Sequence, residues 1–154
     1  MAGSLKEQAL AKVMRYCSMR ERAPNQVREK LIKWGLPSSQ TEEIISQLKT
    51  DNFLDEQRFA NAYCHDKFEF NKWGKIKIRY GIQKFQLPDD VIDEGLSSIS
   101  ETKYLETIHD QAEKKWKLLR METDSFIRKQ KTANFLIRRG FESAVIYQVL
   151  DKLT

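Results

Sequence analysis

The amino-acid sequence predicts an all-α fold made of three tandem three-helix repeats. Apolar residues recur in register in three windows about fifty residues apart. With Leu36, Leu87 and Phe141 as position zero, apolar residues also lie five positions earlier and nine and twelve positions later. These are Leu31, Ile82 and Leu136, then Ile45, Leu96 and Leu150, and then Leu48, Ile99 and Leu153. Such a period is typical of an array of one supersecondary unit and not of an enzyme with a single core.

The composition agrees with short helices joined by tight turns. The 154 residues include only three prolines and six glycines. A unit of about fifty residues has too small a core to be stable by itself, so each repeat should pack against a neighbour. The repeats are expected to span residues 5–54, 55–101 and 102–154.

The first repeat shows three helical segments. The first of them carries apolar residues at helical spacing: Leu5, Ala9, Val13 and Tyr16. Pro24 suits the first turn of the second helix, and Gly35 can take the left-handed conformation that ends it. Ser38 or Ser39 is predicted to cap the third helix.

The second repeat is predicted to begin with Asp55 as an N-cap. A second helix is predicted from Trp73 to Phe85, with Ile78, Ile82 and Phe85 turned inward. The segment from Pro88 to Asp90 then starts a third helix.

The third repeat follows the same plan after Glu101 and Thr102. Asp124, with Thr123, offers a cap for a helix that runs to Arg139. Gly140 stops that helix, and a last helix is expected from Ser143 to Lys152. The total is about nine helices, and no segment has the alternating pattern of a strand.

The residues give no positive reason to predict an enzyme. The nucleophile-elbow, zinc-protease, P-loop and dinucleotide glycine patterns do not occur in the sequence. His65 and His109 have no partner at a recognised metal-ligand spacing, and Cys17 and Cys64 fit no metal or redox motif. We therefore expect no metal and no cofactor, with both histidines partly exposed on helices.

The N-terminus carries no apolar stretch, and Met1 to Ser4 is expected to be a flexible start. No apolar run approaches the length of a membrane span. These features predict a cytoplasmic protein with reduced thiols and no membrane contact. The protein is also expected to be a monomer.

Charge is distributed unevenly along a chain with 27 basic and 22 acidic residues and a net charge of +5. The segment from Lys72 to Lys84 has five basic residues and no acid, whereas Asp89 to Glu101 has five acids and no base. The segment from Lys114 to Arg139 contains nine basic residues and only two acids. The candidate contact residues are Lys72, Lys75, Lys77, Arg79, Lys84, Arg128, Lys129, Lys131, Arg138 and Arg139.

Two interpretations of these basic helices stay open at this point. They are either solvated faces or surfaces that contact phosphates or an acidic protein, without base-specific readout. Trp73 could stack on a base, but an aromatic residue beside a glycine at a helix start is more often a packing anchor.

Several segments together resemble the RecX family of bacterial regulators of the RecA recombinase. They are Phe53 to Tyr63, the Lys72-Trp73-Gly74 triplet followed by Lys75 to Ile78, the Arg138 to Phe141 segment, and the Gly35-Leu36-Pro37 triplet. Their order and spacing follow the family signature over nearly the whole chain. The resemblance implies three three-helix repeats in an elongated, curved array.

The resemblance also implies a function. It implies that the protein binds along the groove of the RecA–single-stranded DNA filament and modulates, mostly inhibiting, the ATPase, strand exchange and co-protease activities of that filament in recombination and the SOS response. On this interpretation the basic middle helices of the second and third repeats face the groove. The first choices for contacts are Lys77, Arg79, Arg128 and Lys131. The alternatives are a stand-alone helical nucleic-acid-binding module and, less favoured, an enzyme with an unrecognised site.

Overall fold

A computed structural model describes residues 3–154, which contain nine α-helices, one 3-10 turn and no β-strand. The helices are α1 (Leu5–Met19), α2 (Pro24–Lys33), α3 (Ser38–Thr50), α4 (Glu56–Glu69), α5 (Lys75–Ile82), α6 (Asp89–Ser97), α7 (Glu101–Leu118), α8 (Ser125–Arg138) and α9 (Ser143–Leu153). The all-α fold class and the three successive groups of three helices are therefore confirmed. Met1 and Ala2, in the predicted flexible start, lie outside the described residues, whereas the Ser4 hydroxyl caps α1 by accepting a 3.1 Å hydrogen bond from the Glu7 N–H.

Most predicted helix ends lie where the sequence signals them. Pro24 is the first residue of α2, and Gly35 follows this helix with φ +90°. The Asp124 carboxylate caps α8 by accepting hydrogen bonds from the backbone N–H groups of Phe126 and Ile127. Asp55 likewise accepts from the Arg58 N–H at the start of α4.

Two local predictions are wrong. Neither serine caps α3: Ser38 is already its first residue, and Pro37, which has no side-chain donor or acceptor, occupies the cap position. The helix predicted from Trp73 to Phe85 is shorter, because the Trp73 N–H bonds back to the Lys67 carbonyl at the end of α4. At its other end the helix tightens into a 3-10 turn over Gln83–Phe85, closed by Gln86 at φ +56°.

The apolar register forms the core. Eleven of its twelve residues are buried, and Leu153 is half-buried. Outside this register, Phe59 and Ile78 are also buried, whereas the aromatic residues Trp34 and Tyr63 are only half-buried. The periodic apolar positions thus identify core positions better than aromatic character does.

The helices form two compact units. The first contains the described residues up to Ala62 together with Ile82–Glu94, and the second contains Tyr63–Gly81 together with Gly95–Thr154. The middle three-helix group therefore contributes segments to both units. In the first unit, for example, the Phe59 ring packs edge-on against Phe85 at 4.8 Å between ring centres.

Candidate functional site

The start of α5 meets the turn between α8 and α9 through two backbone hydrogen bonds in the second unit. The Gly74 N–H donates to the Arg139 carbonyl at 2.7 Å, and the Ile76 N–H donates to the Gly140 carbonyl at 3.0 Å. A Cβ on Gly74 would lie 2.3 Å from the carbonyl carbon of Gly140, so this approach requires glycine. The close approach of the two backbones therefore explains why the residue after Trp73 is glycine.

This contact brings two basic segments of the sequence together. We name the set the basic junction; it consists of Lys72, Lys75, Lys77, Arg79, Arg138 and Arg139. The Arg139 guanidinium donates to the Asn71 carbonyl at 3.2 Å and lies 5.0 Å from the centre of the Phe135 ring. The two backbone hydrogen bonds and the Arg139–Asn71 hydrogen bond together join the segments that carry these like charges.

Aromatic rings support several of the lysines. The ammonium groups of Lys67 and Lys77 lie 4.9 and 4.7 Å from the centre of the Trp73 ring. The Lys75 ammonium lies 4.8 Å from the centre of the Tyr104 ring. Contacts of this kind contribute about 0.5–1 kcal/mol at exposed sites and restrict the long side chains. Trp73 is half-buried, and its surroundings fit the packing interpretation.

Beneath the junction, Tyr104 connects α5, α7 and the start of α9. Its hydroxyl accepts a 3.0 Å hydrogen bond from the Lys75 backbone N–H and donates a short one to the Glu142 carboxylate. Burial, reinforced by the Glu142 carboxylate, raises the pKa of the Tyr104 phenol far above its usual range. The phenol therefore stays protonated and remains a donor.

Tyr104→Phe is expected to destabilise the protein by about 1–3 kcal/mol, because the Lys75 N–H and Glu142 each lose a partner in a partly buried place. Tyr147→Phe is the matched control: the exposed Tyr147 hydroxyl donates to Gln130, and water can replace that bond. Urea unfolding followed by far-UV circular dichroism measures both variants. Equal losses of stability would contradict a structural role for the Tyr104 hydrogen bonds.

The other predicted contact residues on α8 have partners within the protein. The Arg128 guanidinium stacks 3.9 Å from the centre of the Trp116 ring and donates two hydrogen bonds to the Trp116 carbonyl. Lys129 pairs with Asp151 at 2.6 Å, and Lys131 pairs with Glu122 at 3.3 Å.

These three cations also lie apart from the rest of the predicted set. Arg128 and Arg138 are separated by about 15 Å along α8 at 1.5 Å per residue. Lys84 belongs to the other compact unit, where its ammonium lies 5.2 Å from the centre of the Phe85 ring. Six of the ten candidate residues thus lie on the two segments that meet at the Gly74–Arg139 and Ile76–Gly140 hydrogen bonds.

The potentially reactive side chains are dispersed. His65 and His109 are exposed on helices, beside Asp66 and Glu113 respectively. Burial raises the pKa of the Cys17 thiol, and raises that of the Cys64 thiol to about 11. Among residues 3–154, no three His, Cys, Asp or Glu side chains are grouped so as to hold a metal ion. Within the same range, no helix has both the length and the apolar character that crossing a membrane requires.

Sequence reasoning missed Tyr104 and Glu142 because their partners are distant in the chain. A signal was present: Tyr104 lies at helical spacing with the buried Ile108 and Ala112, and all three face the core. A phenol on a core-facing stripe needs a hydrogen-bond partner, which predicts a polar contact even where the partner is unknown.

The fold and the junction define an α-helical repeat protein with a clustered basic surface. Three family models match it in sequence order: the RecX first three-helix domain at residues 9–48, the second at 55–96 and the third at 101–150. The chain belongs to the RecX family.

Curated relatives agree with this assignment. The chain is 33% identical over 131 residues to the regulatory protein RecX of Clostridium acetobutylicum, covering 83% of this chain and 60% of the relative. It is 29% identical over 153 residues to the regulatory protein RecX of Prosthecochloris aestuarii, covering 99% and 98%. The chain thus spans about 60% of the length of the clostridial relative and nearly all of the other.

Solved structures show the same fold. The crystal structure of RecX from Lactobacillus salivarius superposes with a TM-score of 0.90 at 18% identity, covering 97% of this chain and 96% of that one. A second crystal structure, of a regulatory protein RecX, gives a TM-score of 0.83 at 22% identity, covering 96% and 72%.

Proposed function

We propose that this protein is a cytoplasmic regulator that binds the RecA–single-stranded DNA filament and modulates, mostly inhibiting, RecA ATPase, strand exchange and co-protease activity during recombination and the SOS response. Membership of the RecX family and relatives named regulatory protein RecX support this proposal. The observation that carries it is the basic junction, whose cations lie on two segments joined by two backbone hydrogen bonds.

The junction suits a partner that is itself partly nucleic acid. Lysine and arginine side chains that neutralise phosphates release counterions, which gives affinity without sequence readout and a steep dependence on salt. The cations start from ordered positions, since Lys75, Lys77 and Arg139 each lie against an aromatic ring. Less side-chain entropy is then lost on binding.

The proposal retains a monomer made of repeats at residues 5–54, 55–101 and 102–154. Similar repeats on one chain can contact successive protomers of a filament. Several weak contacts then add through effective concentration. Lys129 and Lys131 of α8 stay in the proposed contact set, because exposed ion pairs are weak enough to be exchanged for phosphate contacts. Arg128 and Lys84 stay in the set as well, with the Trp116 ring and carbonyl and the Phe85 ring as their respective partners within the protein.

The test is RecA turnover on single-stranded DNA. We expect the protein to lower the rate of ATP hydrolysis by preformed filaments, and a Lys75→Gln, Arg138→Gln double variant to need a higher concentration for half-inhibition. If these two residues each contact a phosphate, the double variant should also reduce the slope of log affinity against log salt for single-stranded DNA by about 1.4. These positions are preferred to Lys77, because the Lys77 backbone and Cβ pack closely against Gly140.

The matched control is Lys33→Gln, Lys152→Gln, which removes the same charge from exposed positions on α2 and α9. It should leave inhibition close to that of the unmodified protein. If excess protein changes neither turnover nor filament length, the regulatory proposal is wrong. Tight binding to duplex DNA without any effect on RecA would instead support the stand-alone nucleic-acid-binding module.

A further inference from the structure

The helix α5 has two apolar faces, and only one of them is buried. Ile78 and Ile82 are 0% exposed and belong to the core. Ile76 and Tyr80, one helical turn apart, are 58% and 81% exposed. Residues at this spacing are neighbours on a helix surface, so they form one apolar and aromatic patch open to solvent.

Cations lie on both sides of this patch. At about 100° per residue, Lys75 and Arg79 project on one side of the Ile76 and Tyr80 pair, and Lys77 projects on the other. The sequence has no acid between Lys72 and Lys84. A single exposed apolar side chain needs no explanation, but an exposed aromatic ring with cations on both sides of it along its own helix matches a polyanion that carries flat apolar groups.

Two other aromatic rings that lie against the lysines of α5, those of Trp73 and Tyr104, are less available than the Tyr80 ring. Two ammonium groups lie over the half-buried Trp73 ring. Tyr104 is buried, and its ring packs 5.6 Å from both Phe68 and Phe141. Among Trp73, Tyr80 and Tyr104, Tyr80 therefore has the ring that is most exposed to solvent.

We propose that Tyr80, supported by Ile76, is a stacking site for an unpaired nucleobase of a single-stranded nucleic acid, whose phosphates are held by Lys75, Lys77 and Arg79. The inference rests on the proposed function, which supplies the single strand, and assigns a ligand class to the α5 face. Unpaired bases offer their faces to an aromatic ring, whereas bases within a duplex are already stacked on each other. An acidic protein surface would use the cations but would have no base to place on the ring.

The experiment measures fluorescence anisotropy of a labelled oligothymidylate and of an abasic oligomer of the same length, which keeps the phosphates and lacks the bases. We expect the protein to bind oligothymidylate more tightly. Tyr80→Ala should raise its Kd roughly five- to a hundredfold and leave the abasic Kd unchanged, whereas Tyr80→Phe should retain most of the affinity. Tyr147→Ala, which truncates an exposed tyrosine of α9, should have little effect. Because Tyr80 is exposed, far-UV circular dichroism of Tyr80→Ala should match that of the unmodified protein.

The outcomes separate this inference from the proposed function. Equal affinity for the two oligomers, unaffected affinity in Tyr80→Ala, or no binding to either oligomer at low salt would each overturn the stacking site, even if the unmodified protein inhibits RecA. If Tyr80→Ala weakens RecA inhibition but binds both oligomers normally, the α5 face contacts protein and the stacking inference is wrong. Base-dependent binding through Tyr80 without any effect on RecA would support the stacking site and reject the filament proposal.

Discussion

Replacing Gly140 with alanine is expected to destabilise the protein by about 2–5 kcal/mol. Gly140 has φ +91°, a conformation that costs an L-residue about 1–2 kcal/mol. An added Cβ would also lie 2.3 Å from the Cβ of Lys77 and 2.6 Å from its backbone nitrogen. One of the two segments would have to move, and overpacking of this kind costs about 1–3 kcal/mol more.

The chain contains its own control for this substitution. Gly35 ends α2 with φ +90°, but a Cβ there would have nothing within 4 Å. Gly35→Ala should therefore cost only the conformational term, about 1–2 kcal/mol. Urea unfolding followed by circular dichroism compares the two variants. If Gly35→Ala destabilises the protein as much as Gly140→Ala, the close approach of Lys77 contributes nothing.

This pair of glycines also shows how far the sequence alone can lead. Both were predicted to end helices, and both do, because a left-handed residue after an apolar periodic segment is a local signal. The Gly140 carbonyl also accepts a hydrogen bond from the Ile76 N–H of α5, and this bond joins segments that are distant in the chain. A local pattern carries no information about such a contact.

The same limit applies to the candidate site. The charge runs identified every residue of the basic junction, because runs of one sign are visible in the sequence. They did not indicate that Arg139 lies beside Asn71, or that Arg128 folds back onto Trp116. The shortened α5 has a comparable cause, since the N–H of Trp73 is used to close the end of α4.

Phe141→Ala should be among the most destabilising substitutions in the second unit, with an expected cost of about 3–5 kcal/mol. Phe141 is 1% exposed, and its ring meets that of Tyr104 edge-on at 5.6 Å between centres. Removing it would leave a cavity beneath the junction, and the Tyr104 ring would keep only Phe68 of its two aromatic neighbours. Phe126→Ala makes the same chemical change at a residue 72% exposed, where the expected effect is within about 0.5 kcal/mol.

The repeat makes this prediction stronger than one based on burial alone. Phe141 shares position zero of the apolar register with Leu36 and Leu87, which are also buried. If position zero is a core position of each repeat, Leu36→Ala and Leu87→Ala should each cost about 2–5 kcal/mol, as large-to-small changes in a core do. Unfolding midpoints for the three variants and the Phe126→Ala control would measure this directly. A large loss at Phe141 with little change at Leu36 and Leu87 would mean that the register is a coincidence of sequence and not a shared core.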